Sequence, residues 1–184
     1  MSLASFLTFI ARALNEAEIP FMLTGSLAAA FYGAPRATQD IDLIIESQPE
    51  KLRRFVADLI AAGLYVDLES ALEALRTRSQ FNAIEPTTGW KADLIFQKAR
   101  PFSATEFGRR QEQELFGIEI ALTTLEDLIL AKLEWSELSD SELQRRDIRN
   151  LIEIAGDSID QSYLDRWIDA LELRHAWERA TRAD

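Results

Sequence analysis

The sequence contains no cysteine and a single histidine. The first absence excludes disulfides, a thiol nucleophile and a cysteine-built metal centre. The second argues against zinc, which prefers clusters of His and Cys. Basic residues are also scarce: 20 Lys and Arg stand against 31 Asp and Glu, for a formal net charge of −11. So acidic a chain lacks the broad cationic surface that grips duplex nucleic acid. A local basic patch stays open, as does RNA entering a site whose carboxylates hold metal. No apolar run reaches the ~20 residues of a membrane span, and the N-terminus lacks the charged start and apolar core of a signal peptide. The expectation is a cytoplasmic protein with no membrane partner. Internal repeats, low-complexity tracts and flexible linkers are missing too.

What remains is 184 residues, 47% hydrophobic and 28% charged, enough for one domain or two tightly joined subdomains. Leu3, Phe6, Leu7, Ile10 and Leu14 recur at helical spacing, which predicts a helix over 3–17 that Pro20 stops. Phe21 to Thr24 reads as a short buried strand. Gly25-Ser26 then opens a second helix through Tyr32, ended by Gly33 and Pro35. Residues 40–46 (DIDLIIE) read as a strand and 49–62 as a helix. A further helix is expected over 69–78, a hairpin over 81–85 and 90–96, and a strand over 117–122. From there on only helical periodicity remains, over 125–137, 143–155 and 163–171, with a last short helix. The expectation is an α/β (α+β) protein. A mixed sheet with flanking helices occupies 1–122, and a C-terminal helical bundle, 123–184, packs on that core.

Three short features carry chemistry. Gly25-Ser26 lies between strand and helix, where unpaired N–H groups and the helix dipole favour an anion. A plain turn with an N-cap is the commoner meaning of such a pair. In Asp40-Ile41-Asp42 the carboxylates share one face of a strand, because residues i and i+2 point the same way. Two carboxylates side by side repel and favour a cation between them, and hard oxygen donors suit Mg²⁺ or Mn²⁺. A solvated strand end is the alternative. Asp93 interrupts an otherwise apolar strand (Trp90-Lys91-Ala92-Asp93-Leu94-Ile95-Phe96), where an unpartnered Asp is costly. If that strand lies beside the Asp40 strand, Asp93 completes a three-carboxylate site; otherwise it faces water at an edge.

The order strand, Gly-Ser, helix, Asp-x-Asp strand, then a later strand bearing one Asp resembles the nucleotidyltransferase superfamily of the DNA polymerase β type. The stretch from Gly25 to Asp42 (GSLAAAFYGAPRATQDID), Phe81-Asn82, KADL from Lys91 to Leu94, TTLEDLILAKLEW from Thr123 to Trp135, and Arg146-Asp147 resemble the AbiEii/AbiGii-toxin-type nucleotidyltransferases. The resemblance implies transfer of a nucleoside monophosphate from a nucleoside triphosphate (NTP) to an acceptor hydroxyl, with loss of pyrophosphate. Gly25 and Ser26 then match the phosphate-binding pair, and Asp40 and Asp42 the metal ligands. Asp93 matches the carboxylate that binds metal and activates the acceptor. The acceptor could be RNA, a protein or a small molecule, and an antitoxin partner would accompany a toxin; the alternative is a nucleotidyltransferase-like regulatory protein that binds nucleotide or a partner without turnover. The R-x-x-K-D-x-x-D motif of the toxins proper is altered here, with Arg146 at its Lys and Asn150 at its second Asp.

The helical half adds candidates. Leu125, Leu128, Ile129 and Lys132 fall at i, i+3, i+4 and i+7, so Lys132 lies on an apolar stripe. Leu143, Asp147, Leu151 and Ile154 are expected to line one inward face. Inward charges need partners. Lys132 could reach the triphosphate with Asp147 in support, or the two could form a structural ion pair. Arg36 could meet a phosphate or fix its loop, with Thr38 beside it. His175, Trp167, Trp177 and the basic clusters at 51–54 and 145–149 read as solvated or packing residues.

Overall fold

The computed structural model describes residues 1–182. In chain order the elements are α1 (Leu3–Glu16), β1 (Phe21–Thr24), α2 (Gly25–Phe31), β2 (Asp40–Ile45), α3 (Pro49–Ala61), α4 (Leu68–Thr77), β3 (Gln80–Ile84), β4 (Lys91–Phe96), α5 (Pro101–Arg109), β5 (Gln111–Leu115) and β6 (Ile118–Leu122). Only helices follow among the described residues: α6 (Leu125–Ser139), α7 (Glu142–Ala155), a 3-10 turn (Gly156–Ser158), α8 (Gln161–Ala170) and α9 (Arg174–Thr181). None of the described helices is long and apolar enough to cross a membrane.

The strands form one six-stranded sheet in the order β3-β4-β2-β1-β6-β5. β2 and β4 run parallel, as do β1 and β6, and the other neighbours are antiparallel. The parity of β2 divides the faces: Ile41, Leu43 and Ile45 are buried, whereas Asp40, Asp42 and Ile44 are partly open. The apolar set joins one continuous core with Phe6, Ile10 and Leu14 of α1 and Leu52, Phe55 and Leu59 of α3. On the other face Met22, Ala121 and Phe107 of α5 pack with Ile44. The rest of that face is left to the polar residues.

The helices after β6 share the main core: Leu128, Ile129 and Leu133 of α6, Ile148 and Leu151 of α7 and Leu164 of α8 belong to it. Thr124 caps α6 by accepting from the Asp127 N–H, as a Thr at an N-cap should. α6 is buried on most sides because α2, α7, α8 and α9 all contact it, so it lacks a clean polar face. Its Asp127 is fully buried and accepts from Thr124 Oγ1 at 2.6 Å, Tyr163 Oη at 2.5 Å and Arg109 Nε at 3.1 Å. This one carboxylate ties α5, α6 and α8 together.

The structure departs from the sequence reading in three places. α5 and β5 were not expected. α5 shows only a thin apolar stripe, and β5 (QEQEL) is a polar edge strand without alternation toward a core. The inward face of α7 is also rotated from the expected one: Asp147, Ile148 and Leu151 are buried, but Leu143 is 40% and Ile154 53% exposed. The stripe drifts around the helix because α7 packs on α6 and α9 at its middle and leaves both ends open.

Candidate active site

Strand register assembles the site. Asp42 of β2 stands opposite Asp93 of β4 and opposite Thr24 of β1, and Asn82 of β3 stands opposite Asp93. One row across the sheet therefore reads Asn82, Asp93, Asp42, Thr24. Neighbouring strands lie about 4.8 Å apart and paired residues share a face, so Asp42 and Asp93 project side by side. Asp40, two residues before Asp42, pairs in register with Lys91, two residues before Asp93. All four side chains therefore emerge on the same face.

Gly25 follows Thr24 and begins α2 with φ +67°. A Cβ there would sit 1.9 Å from Asp42 Oδ2. Glycine is required twice over, by a left-handed backbone and by the close approach of a carboxylate. The same proximity lets the Ser26 N–H hydrogen-bond the Asp42 carboxyl. Burial nonetheless dominates, and with repulsion from Asp93 and Asp40 it pushes the Asp42 pKa up to about 6 against those hydrogen-bond and Lys132 effects. Thr38 holds the start of the strand, accepting from the Asp40 N–H at 3.1 Å.

Thr24, Asp42 and Asp93 of this row floor a cavity of about 480 Å³, within the usual range for small-ligand sites. Gly25, Ser26, Arg36, Thr38, Asp40, Asp42, Asp93 and Lys132 all line it. Asp147 stands behind the rim. Its Oδ2 accepts from Lys132 Nζ at 2.8 Å and from Arg36 Nε at 3.3 Å, and Gln144 Oε1 accepts from Lys132 Nζ at 3.2 Å. Lys132 is 3% exposed. Burial lowers its pKa, against the hydrogen bond and charge of Asp147, which raise it. Asp147 thus holds two cavity-lining cations and carries only one negative charge itself.

Several residues in or beside the cavity had no role in the sequence reading. Lys91 bridges the row: its Nζ lies 3.0 Å from Asp93 Oδ2 and 3.4 Å from Asp40 Oδ1. Burial opposes its charge, but hydrogen bonds and attraction from Asp93 and Asp40 prevail and raise its pKa. The i+2 spacing of Lys91 and Asp93 was the signal that would have found it. Glu106 of α5 lines the far end at 4% exposure, and its Oε1 has no hydrogen-bond partner. Burial first, then the charges of Asp127 and Glu134, push its pKa up to about 8. Nearby, Arg100 grips Glu134 through two bonds of 2.5 and 2.6 Å. Trp135 and Leu138, one and two turns beyond Lys132 on α6, form an exposed apolar rim.

A divalent cation would find hard oxygen donors here. Asp93 is buried, yet its Oδ1 has no partner. Such an orphaned oxygen calls for a ligand or ion, and with it the donor set fits a divalent cation. Among the described residues, however, no three carboxylates stand as a ready-formed metal-ligand group. The expected convergence of three ligands is incomplete because the Lys91 ammonium draws Asp40 Oδ1 and Asp93 Oδ2 to itself.

A scan against family models finds no match to this chain, and a search of curated proteins finds none either. Solved structures do match. The solution structure of the antibiotic-resistance factor ANT(2″)-Ia is 16% identical, with a TM-score of 0.63 over 96% of this chain and 94% of that one. The crystal structure of ANT(2″)-Ia in complex with adenylyl-2″-tobramycin is 15% identical, with a TM-score of 0.63 over 95% and 99%. The lincomycin-bound lincosamide antibiotic adenylyltransferase LnuA is 13% identical, with a TM-score of 0.56 over 80% and 95%. At these identities the likeness is one of fold, and the chain has a nucleotidyltransferase-type fold.

Proposed function

We propose that this protein is a metal-dependent nucleotidyltransferase that moves a nucleoside monophosphate from an NTP to an acceptor hydroxyl. The observation that carries the reading is the register pair Asp42–Asp93 on one face of the sheet, facing a cavity whose opposite wall carries Lys132 and Arg36. In this reading a new bond forms between the acceptor oxygen and the α-phosphorus, and the bond to the bridging oxygen of pyrophosphate breaks. The acceptor proton passes to Asp93, whose Oδ1 is unpartnered. Asp40, Asp42 and Asp93 would hold Mg²⁺ or Mn²⁺, whose chemistry is to neutralise charge on the triphosphate and polarise the attacked phosphorus. The Ser26 hydroxyl donates to a phosphate oxygen. Lys132 and Arg36 offset the charge that grows on the leaving pyrophosphate.

The net charge of −11 and the confined cavity favour a small hydroxyl-bearing acceptor over a long nucleic acid. The solved neighbours point the same way, since one is a lincosamide antibiotic adenylyltransferase and another was solved with adenylyl-2″-tobramycin. An RNA end, or a protein hydroxyl modified by a toxin that an antitoxin restrains, remains within the same chemistry. Equilibrium titration of each NTP in the presence and absence of Mn²⁺ tests the site. One saturable, metal-dependent site is expected, lost in Asp42→Asn and in Asp93→Asn. Nucleotide binding indifferent to both substitutions would place the site elsewhere.

A further inference from the structure

Lys91 is the one ammonium that touches two of the carboxylates in the row among the described residues. Its position is set by register, since it pairs with Asp40 across β2 and β4 and shares a strand face with Asp93. Its side chain is 30% exposed, so solvent reaches the ammonium beside the two cavity-lining carboxylates. The Asp40 and Asp93 oxygens that it holds, Oδ1 and Oδ2, are among those a divalent cation would need. Lys132, by contrast, is committed to Asp147 and Gln144 on the opposite wall, and Arg36 to Asp147. Lys132 offsets part of the Asp42 charge, but neither cation is salt-bridged to Asp40 or Asp93.

We propose that Lys91 is a built-in counter-cation that occupies the carboxylate row of the metal-free protein and makes metal binding depend on nucleotide. The inference rests on the reading of Asp40, Asp42 and Asp93 as metal ligands. Without metal, the ammonium offsets repulsion between β2 and β4 and holds the strand ends in register. A cation entering alone must displace it and leave the ammonium without a carboxylate partner, so metal alone binds weakly. When nucleotide enters as well, its phosphates offer the released ammonium a new anionic partner, and the two ligands bind cooperatively. Such coupling is reciprocal, so metal raises nucleotide affinity by the same factor.

The test uses the intact chain and Mn²⁺ alone, followed by electron paramagnetic resonance. Lys91→Met keeps the stem and removes the charge. It should bind Mn²⁺ about tenfold more tightly than wild type without nucleotide, the scale on which neighbours of metal ligands act. The further gain on adding a non-hydrolysable NTP should shrink by a similar factor, and Lys91→Arg should stay close to wild type. Equal or weaker Mn²⁺ affinity in Lys91→Met, or no Mn²⁺ binding in either protein, overturns the proposal. Should Lys91→Met fail to fold, the wild type supplies the answer through reductive ¹³C-methylation of its lysines. The Lys91 resonance should shift when Mg²⁺ and nucleotide are added together, and a resonance that does not move refutes displacement. The nucleotidyl-transfer reading fails separately: Lys91→Met can tighten Mn²⁺ binding as expected in a protein that transfers nothing.

Discussion

At the residue scale the site is dominated by close packing of like charge. Gly25 is the least replaceable position. Alanine there would need a left-handed backbone and would overlap Asp42 Oδ2. Gly25→Ala is expected to lower stability by about 2 kcal/mol or more, read as a fall in the denaturant midpoint, and to abolish nucleotide binding. Glu106 gives a pH signature. Its folded pKa, about 8, lies above its ordinary value of 4.5, so the folded state holds a proton that the unfolded state gives up. The stability this contributes is fully present below pH 4.5 and is lost as pH rises through about 8. Glu106→Gln keeps the shape without the ionisation. It should flatten the fall in melting temperature between pH 5 and 9 and melt above wild type at pH 9. Equal melting curves at pH 9 would mean that Glu106 is not held protonated.

Asp42 behaves in the same direction at lower pH, with a pKa of about 6. At pH 7 it is ionised at a cost to the metal-free fold. Asp42→Asn should therefore raise the metal-free melting temperature, a gain of up to about 2 kcal/mol, while removing the further rise that Mg²⁺ or Mn²⁺ gives wild type. An equal metal-induced rise in both proteins would mean that the cation binds elsewhere.

At the element scale, periodicity and parity were legible and pairing was not. The Asp40-Ile41-Asp42 parity follows from the strand alone, and the Lys132 stripe from helical spacing. The Asp147 partner suggested by that spacing is the one observed, at 2.8 Å. The adjacency of β2 and β4 could only be assumed, because the chain between them carries α3, α4 and β3. α5 and β5 escaped because neither shows a strong apolar pattern, and with α5 went Glu106 and the far end of the cavity. The α6–α7 pair decides what Lys132 does. Lys132→Met keeps the stem and leaves Asp147 paired with Arg36. Its cost should fall at or below the low end of the 3–5 kcal/mol expected for a broken buried pair. Triphosphate affinity and transfer should fall about 100-fold if the ammonium meets the leaving group. Unchanged kinetics would make the pair purely structural.

At the scale of the whole molecule, the helices after residue 122 and the sheet before it share one core, so the cavity wall that carries Lys132 is fixed relative to the carboxylate floor. That rigidity makes transfer chemistry conceivable, because reacting groups must be held within fractions of an ångström. On the proposed function, the Asp42–Asp93 row transfers a nucleoside monophosphate. The most direct measurement follows two labels, one on the α-phosphate and one on the γ-phosphate of each NTP. The protein is incubated with Mg²⁺ or Mn²⁺ and, separately, with aminoglycoside and lincosamide antibiotics, bulk RNA and a lysate. The α-label should become attached to an acceptor while the γ-label leaves in pyrophosphate, and Asp93→Asn should stop both. Release of γ-label as inorganic phosphate, or α-label transfer that persists in Asp93→Asn, would contradict the proposed function.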